Sequence, residues 1–354
     1  VRIVIFNWRD LRHPAAGGAE VYTQQVASRW AAAGHDVTLF CAAVPGCPSE
    51  ETADGVRVVR GGGRHGVYRA ARAWYRGLAG RVDLVVDEIN TRPFGCPSWA
   101  GDVPVVALAH QVCREIWSYE MPPPLSWAGR YVLEPWWLRQ YRDVPVLTVS
   151  QSSAESLAEY GLRRVRVVPE GVEHRGRPAV EREEQPTVLF VGRLARNKRP
   201  DHALAAYRLL RERMPEARLW FVGDGELAPT LEGAGVRCFG RVPGPVRDEL
   251  MARAHALVVT SVREGWGLVV DEAAAMGTPA VAYDVPGLRD SVTAAGGVLC
   301  APDPGALARA LAEHLPGWAA RPATAGWAGG AVDWDTVAAE VLTAAASEAG
   351  VVAV

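Results

Sequence analysis

The sequence predicts an α/β protein built from two Rossmann-like domains, each a parallel sheet covered by helices on both faces. Three observations predict it. Short apolar runs recur along the 354 residues, separated by segments of helical length. These runs are apolar at consecutive positions, the pattern of strands buried on both faces and not on one. A polar, charged and proline-bounded stretch at 173–186, EHRGRPAVEREEQP, interrupts the series near its middle and reads as a linker.

The first domain covers residues 1–172. RIVIFNW (2–8) is its first strand, and the segment from Ala19 to Ala33, stopped by Gly34, is its first helix. DVTLFCA (36–42), VRVVR (56–60), DLVVDEI (83–89), VPVVALA (103–109), VPVLTVS (144–150) and VRVVPEG (165–171) continue the strands. The second domain, 187–332, repeats the plan. TVLFVGRL (187–194) precedes a helix from Asp201 to Glu212, and RLWFVGDG (218–225) and VRCFGRV (236–242) follow. A helix over 246–256 leads to the strand LVVTS (257–261) and a helix from Leu268 to Met276. Ala280 to Asp284 and Gly297 to Cys300 complete the strands, and residues 333–354 carry a last amphipathic helix, Trp334 to Ala349. Two such domains are expected to face each other across a cleft.

Composition narrows the functional classes. An apolar share of 49% and a charged share of 22% are those of a globular protein. A net charge of −2 makes no electrostatic case for nucleic acid, and the arginines read as scattered, with no basic block. The six cysteines show neither a C-x-x-C pair nor metal-finger spacing, so free thiols are expected. No run approaches the ~20 apolar residues of a membrane span. The chain opens on an apolar strand, Arg2 to Phe6, and no signal peptide is expected ahead of it. A cytoplasmic location is expected, at most peripheral to the inner face of a membrane. Of the 38 basic residues only Lys198 is lysine, which suggests that a compact ammonium is needed there.

The chemistry concentrates in SVREGWGLVVDEAAAMGT (261–278). A strand, a turn through Gly265, Trp266 and Gly267, and a helix from Leu268 together point free backbone N–H groups at an anion. Glu264 and Glu272 bracket that helix start. Eight residues of helical rise separate them by roughly 12 Å, too far for a shared acid–base pair. The spacing suits two carboxylates that grasp different hydroxyls of one long ligand. Two ordinary solvated or dipole-facing glutamates are the alternative that this stretch alone leaves open.

Other segments add to it. Gly17 and Gly18 precede the first helix, where a phosphate or a hydroxyl fits, and no G-x-G-x-x-G follows the first strand. Gly192 and Arg193 end a strand, the edge at which open parallel sheets bind ligands, and Lys198 lies within reach of the same anion. His110 ends another strand, a position at which a lone histidine is more often structural. Gly223-Asp224-Gly225 reads as a structural turn. Asp333-Trp334-Asp335 spells a metal-binding D-x-D, but it starts the last helix, where aspartate is a good cap. Residues 116–137 are dense in Trp and Tyr, consistent with core packing, an acceptor groove or an interfacial membrane patch.

The residues EGWGLVVDE (264–272) resemble the E-x7-E signature of retaining glycosyltransferases with the GT-B fold, in the large family-four (group 1) set. Trp266 stands where that pattern usually has Phe. VGRL at 191–194 followed by Lys198 is similar to the family's G-R-L-x-x-x-K element, and AHQVCREIW and NTRPFGCP resemble a subgroup. The resemblance implies that Glu264 holds the donor sugar and Glu272 the nucleotide ribose, with Gly265, Trp266, Gly267 and Leu268 lining the donor. It implies that Gly192, Arg193 and Lys198 meet the diphosphate, that the loop of Gly17 and Gly18 lies over it, and that Arg241 and Val242 meet the base. It places His110 against the donor sugar, so the implied catalytic set is His110, Arg193, Lys198 and Glu264. The implied reaction moves a sugar from a nucleotide-diphosphate donor to a hydroxyl of a natural product, glycan or lipid-linked acceptor, without metal or other cofactor. A sugar-nucleotide epimerase, a phosphorylase-like enzyme and a catalytically silent sugar-nucleotide-binding subunit are the alternatives.

Overall fold

Strand β1 (Arg2–Phe6) is buried from its second residue onward and sits at the centre of a sheet, paired in parallel on both sides. The computed structural model describes residues 1–173, 176–321 and 332–350. Around β1 the chain lays down β2 (Asp36–Cys41), β3 (Glu50–Ala53), β4 (Val56–Arg60), β5 (Leu84–Glu88), β6 (Val105–Leu108), β7 (Val146–Thr148) and β8 (Val165–Val167). Their order across the sheet is β3-β4-β2-β1-β5-β6-β7-β8. Ile3 faces Val37 on one side and Leu84 on the other, so apolar residues meet apolar residues across the register. Helices α1 (Gly18–Ala32), α2 (Val67–Arg76) and α3 (Gln151–Glu159) accompany these strands.

The edge strand β3 departs from the sequence reading. It pairs antiparallel with β4 through a two-residue turn at Asp54 and Gly55, with φ of 49° and 80°. That turn needs positive φ at both central residues, which Asp-Gly supplies, so the signal was present but unread.

The run expected at 165–171 divides into β8 and a two-residue strand, β9 (Gly171–Val172). The second sheet contains β10 (Thr187–Val191), β11 (Arg218–Val222), β12 (Val236–Cys238), β13 (Ala256–Val259), β14 (Ala280–Tyr283) and β15 (Val298–Cys300), ordered β12-β11-β10-β13-β14-β15 and parallel throughout. Helices α4 (Pro200–Arg211), α5 (Gly244–Arg253), α6 (Leu268–Ala275), α7 (Leu288–Ala294) and α8 (Pro304–Ala319) accompany it. Helix α5 starts and stops earlier than the expected 246–256. Ala254 is extended, and the chain must already be straight to enter β13.

Two units result. One is Val1–Gly171 together with the segment from Val332 onward, and the other is Val172–Ala331. The expected linker, 173–186, includes residues 174 and 175, which lie outside the described residues, as do residues 351–354 of the expected terminal segment. Short strand β16 (Val332–Asp333) pairs with β9, and helix α9 (Trp334–Ala349) packs on α1. Trp30 donates from its indole N–H to the Ala338 carbonyl at 2.9 Å, and Trp334 is 3% exposed. No described helix is long and apolar enough to cross a membrane.

Candidate functional site

In the second unit the residues singled out from sequence gather at the carboxyl ends of β10, β11 and β13. The backbone there is tightly packed. A Cβ on Gly223 would lie 1.9 Å from the Gly192 carbonyl oxygen, and one on Gly225 would lie 2.5 Å from that of Leu194. Both glycines have φ in the region L side chains avoid, so only glycine lets these loops touch. Arg193 emerges from this crossing exposed, with no ion pair among the described residues.

Lys198 ends a single 3-10 turn, Arg196–Lys198, directly ahead of α4. Its ammonium pairs with Glu264, whose Oε1 also accepts from Ser261 at 2.6 Å. Thr260 ties this arrangement down by donating to the carbonyls of Lys198 and Arg199, at 2.9 and 2.7 Å. Glu264 is fixed from behind as well: its N–H donates to the Pro286 carbonyl, and Gly287 lies against its own carbonyl, where a Cβ would come to 2.2 Å. Lysine and glutamate side chains are 23% and 15% exposed, so the pair is shielded but reachable.

Gly267, at φ 103°, caps α6 and leaves the first turn's N–H groups at its start. Trp266 folds back so that its indole N–H donates to Asp271, a use of tryptophan that phenylalanine does not offer. The next residue, Glu272, pairs with Arg247 of α5 at 3.0 Å. Each of the two glutamates is therefore held by a cation from another element. Arg241 and Val242 lie in the loop between β12 and α5, the former exposed. Sequence reasoning missed Ser261 and Arg247. Ser261 had a weak local signal in its i,i+3 spacing to Glu264, whereas Arg247 had none.

In the first unit, Gly17 and Gly18 start α1, but the Gly17 N–H is not free: it donates to Glu20 Oε2 at 2.6 Å, the closure of a capping box. Glu20 in turn accepts from Arg9 at 2.9 Å. The Gly17 amide expected to meet a phosphate or hydroxyl is thus occupied, because a helix start leaves orphan donors and Glu20 satisfies one. Gly18 remains exposed.

His110 follows β6 and is 7% exposed. Its Nδ1 lies 3.1 Å from Glu170 Oε1, while its Nε2 is buried without a hydrogen bond among the described residues. Burial alone would lower the histidine pKa, but the Glu170 hydrogen bond and charge, joined by Glu88 and Glu20, outweigh it and displace the value upward. Glu88 is fully enclosed, and burial pushes its carboxyl up to about 8. Thr23 donates to it, and Asn7 donates to Thr23. Glu170 and Glu88 had no sequence signal.

The two aspartates of the D-x-D have other partners. Asp333 caps α9 by accepting from the Thr336 N–H at 2.8 Å, and Asp335 pairs with Arg29 at 2.5 Å. All six cysteines are free.

Family models for Glycosyl transferases group 1 and Glycosyltransferase Family 4 match residues 185–316 and 16–176. The chain is 30% identical to the D-inositol 3-phosphate glycosyltransferase of Streptomyces scabiei, over 93% of this chain and 87% of that one. In fold it is similar to sucrose-phosphate synthase from Thermosynechococcus elongatus, with a TM-score of 0.75 and 21% identity over 97% of both chains. It is also similar to Anabaena HepE, solved in complex with UDP and glucose, with a TM-score of 0.70 and 17% identity over 98% and 99% of the two chains. The two largely parallel sheets, the strand-end loops and these matches together show that the chain belongs to the family-four, group 1 glycosyltransferases of the GT-B fold.

Proposed function

We propose that this glycosyltransferase takes a nucleotide-diphosphate-sugar as donor and transfers its sugar to an acceptor hydroxyl with retention of configuration, without a metal ion. The observation that carries the reading is the pair of carboxylates at α6, Glu264 and Glu272, each held by a cation. A diphosphate arriving at the α6 start and at exposed Arg193 competes for Lys198. The ammonium then turns from carboxylate to phosphate, and Glu264 is released to accept hydrogen bonds from sugar hydroxyls. Glu272 is positioned for the ribose diol. The complex of HepE with UDP and glucose supports a donor of this class.

Charge accumulates on the leaving diphosphate as the glycosidic bond breaks. Arg193, Lys198 and the N–H groups of the first turn of α6 supply the field that stabilises it. The D-x-D aspartates support a metal-free route, since both are committed to α9 and Arg29. Retention follows if the departing phosphate itself takes the acceptor proton on the face it leaves. His110, held through Nδ1 by Glu170, offers Nε2 to a sugar hydroxyl.

Transfer run with excess EDTA, with the product's anomeric coupling read by NMR, tests both parts. Undiminished turnover and a retained anomeric centre are expected. Activity lost to EDTA and restored by Mg²⁺, or an inverted centre, overturns the mechanism. Donor binding with neither transfer nor hydrolysis across a broad acceptor set would overturn the proposed transfer.

A further inference from the structure

The Trp- and Tyr-rich stretch divides into two faces. Trp117 is buried and Trp137 half-buried, which accounts for part of it as packing. The other face is out in solvent: Leu125 is 58% exposed, Trp127 62%, Tyr131 56%, Val132 51% and Trp136 58%. From Met121 to Leu133 the only charged residue is Arg130. Exposed apolar surface this concentrated marks an interaction site on a folded protein.

The protrusion is also firmly built. The Glu134 carboxylate, 2% exposed, accepts from the Arg114 N–H at 2.9 Å and from the Trp117 indole at 3.2 Å, which clamps its two ends together. Gly129 lies directly on the Trp117 ring, where a Cβ would come within 2.3 Å. The outward aromatics are therefore held outward, with Trp127 and Tyr131 ring centroids 5.7 Å apart.

A second observation indicates what covers this face. Between Gly55 and Val82 the chain has no Asp or Glu, while arginine recurs from Arg57 to Arg81. The scattered-arginine reading missed this because the whole-chain charge is near zero. Arg57 and Arg60 are engaged by Glu50 and Asp10. Arg69, Arg72 and Arg76 are exposed on α2, at a spacing that puts them on one side, and make no ion pair among the described residues. This helix adjoins the protrusion: the Arg92 guanidinium lies 4.3 Å from the Tyr68 ring of α2 and 5.8 Å from the Trp137 ring.

We propose that this aromatic protrusion, with the arginine face of α2 beside it, docks the enzyme on an anionic phospholipid surface. Tryptophan and tyrosine favour the boundary between headgroups and acyl chains, where their apolar bodies leave water and their polar edges stay wet. Arginines at the same surface meet lipid phosphates. A protein partner or a second copy would also cover apolar surface, but a row of exposed arginines with no ion pair among the described residues favours a negatively charged plane. Docking would leave the chemistry in place and bring acceptors embedded in that surface within reach.

The test is sedimentation of the full chain with vesicles of phosphatidylcholine alone and vesicles containing phosphatidylglycerol, with tryptophan emission recorded. The chain should pellet with the anionic vesicles, release at high salt, and show a blue shift. W127S/W136S should abolish the shift and most of the binding. R69Q/R72Q/R76Q should weaken binding on the order of a hundredfold at low salt while leaving the aromatic face intact. Both variants are confined to exposed side chains, and an unchanged thermal transition confirms that each folds. A chain that stays in the supernatant with every vesicle overturns the proposal. So does equal binding by both variants, or a dimer in solution that W127S/W136S splits into monomers, which would make the face a self-association surface.

Discussion

At the residue scale, the chain's only lysine is placed in an ion pair with Glu264, at a point where three elements meet. An ammonium on a thin stem can exchange a carboxylate for a phosphate without moving the backbone, whereas a planar guanidinium would hold the carboxylate in a fork. Lys198→Arg should therefore fail to restore transfer although charge is kept. Turnover near that of the unaltered enzyme, measured with saturating donor, would show that any cation serves. Glu272→Ala should chiefly weaken binding of the nucleoside diphosphate, by about 1.5–3 kcal/mol for a lost charged hydrogen bond, as read by calorimetry. Arg247, which keeps its ion pair with Asp248 after that change, offers partial compensation by meeting phosphate. A third expectation concerns pH. Burial raises the Glu88 carboxyl from 4.5 to about 8, and His110 is displaced upward as well. A group whose folded pKa exceeds its unfolded one gives stability that is complete below the unfolded value and lost as pH rises through the folded one. Thermal stability of the first unit should thus fall between about pH 4.5 and about 8. Glu88→Gln, which keeps an acceptor for Thr23, should flatten that dependence in a series of melting curves.

At the element scale, the second sheet brings its loops together by glycine. Gly223 illustrates the magnitude. With φ at 134° and a Cβ that would sit 1.9 Å from the Gly192 oxygen, alanine there must push β10 and β11 apart at their ends. Gly223→Ala should lose about 3 kcal/mol or more, and donor affinity with it, because Arg193 is carried on the displaced loop. Gly46→Ala is the control. It also has positive φ, 81°, but nothing lies within 4 Å of the added atom, so only the backbone penalty of about 1–2 kcal/mol applies. Equal losses in urea titrations of the two variants would show that close approach is not what Gly223 provides. The edge of the first sheet shows the opposite case: the Asp54-Gly55 turn adds an antiparallel strand that the parallel pattern did not announce.

At the scale of the whole molecule, the chain's last helix belongs to the first unit and closes it. Trp334 packs its indole on Gly171, where a Cβ would come within 2.7 Å, and meets Tyr22 with ring centroids 5.5 Å apart. Trp334→Ala should remove about 3–5 kcal/mol from that unit, the range for a buried tryptophan. Calorimetry should then show the first unit's transition moving down while that of the second unit, Val172–Ala331, holds its temperature. A uniform shift of one transition would mean that the two units unfold together.

The family and the fold class were legible in the sequence because both rest on local signals. Consecutive apolar runs mark strands buried on both faces, glycine at 267 and 277 punctuates α6, and the Glu264–Glu272 spacing is a property of one helix and the turn before it. Tertiary structure alone decided which groups meet. Glu170 reaches His110 across 60 residues, and Lys198 reaches Glu264 across 66. It also decided that the Gly17 amide serves the helix cap and that Trp117 faces inward while Trp127 faces water. Periodicity records how a chain turns relative to itself. The partner of a side chain depends on which strand ends the sheet order brings side by side, and no local spacing encodes that.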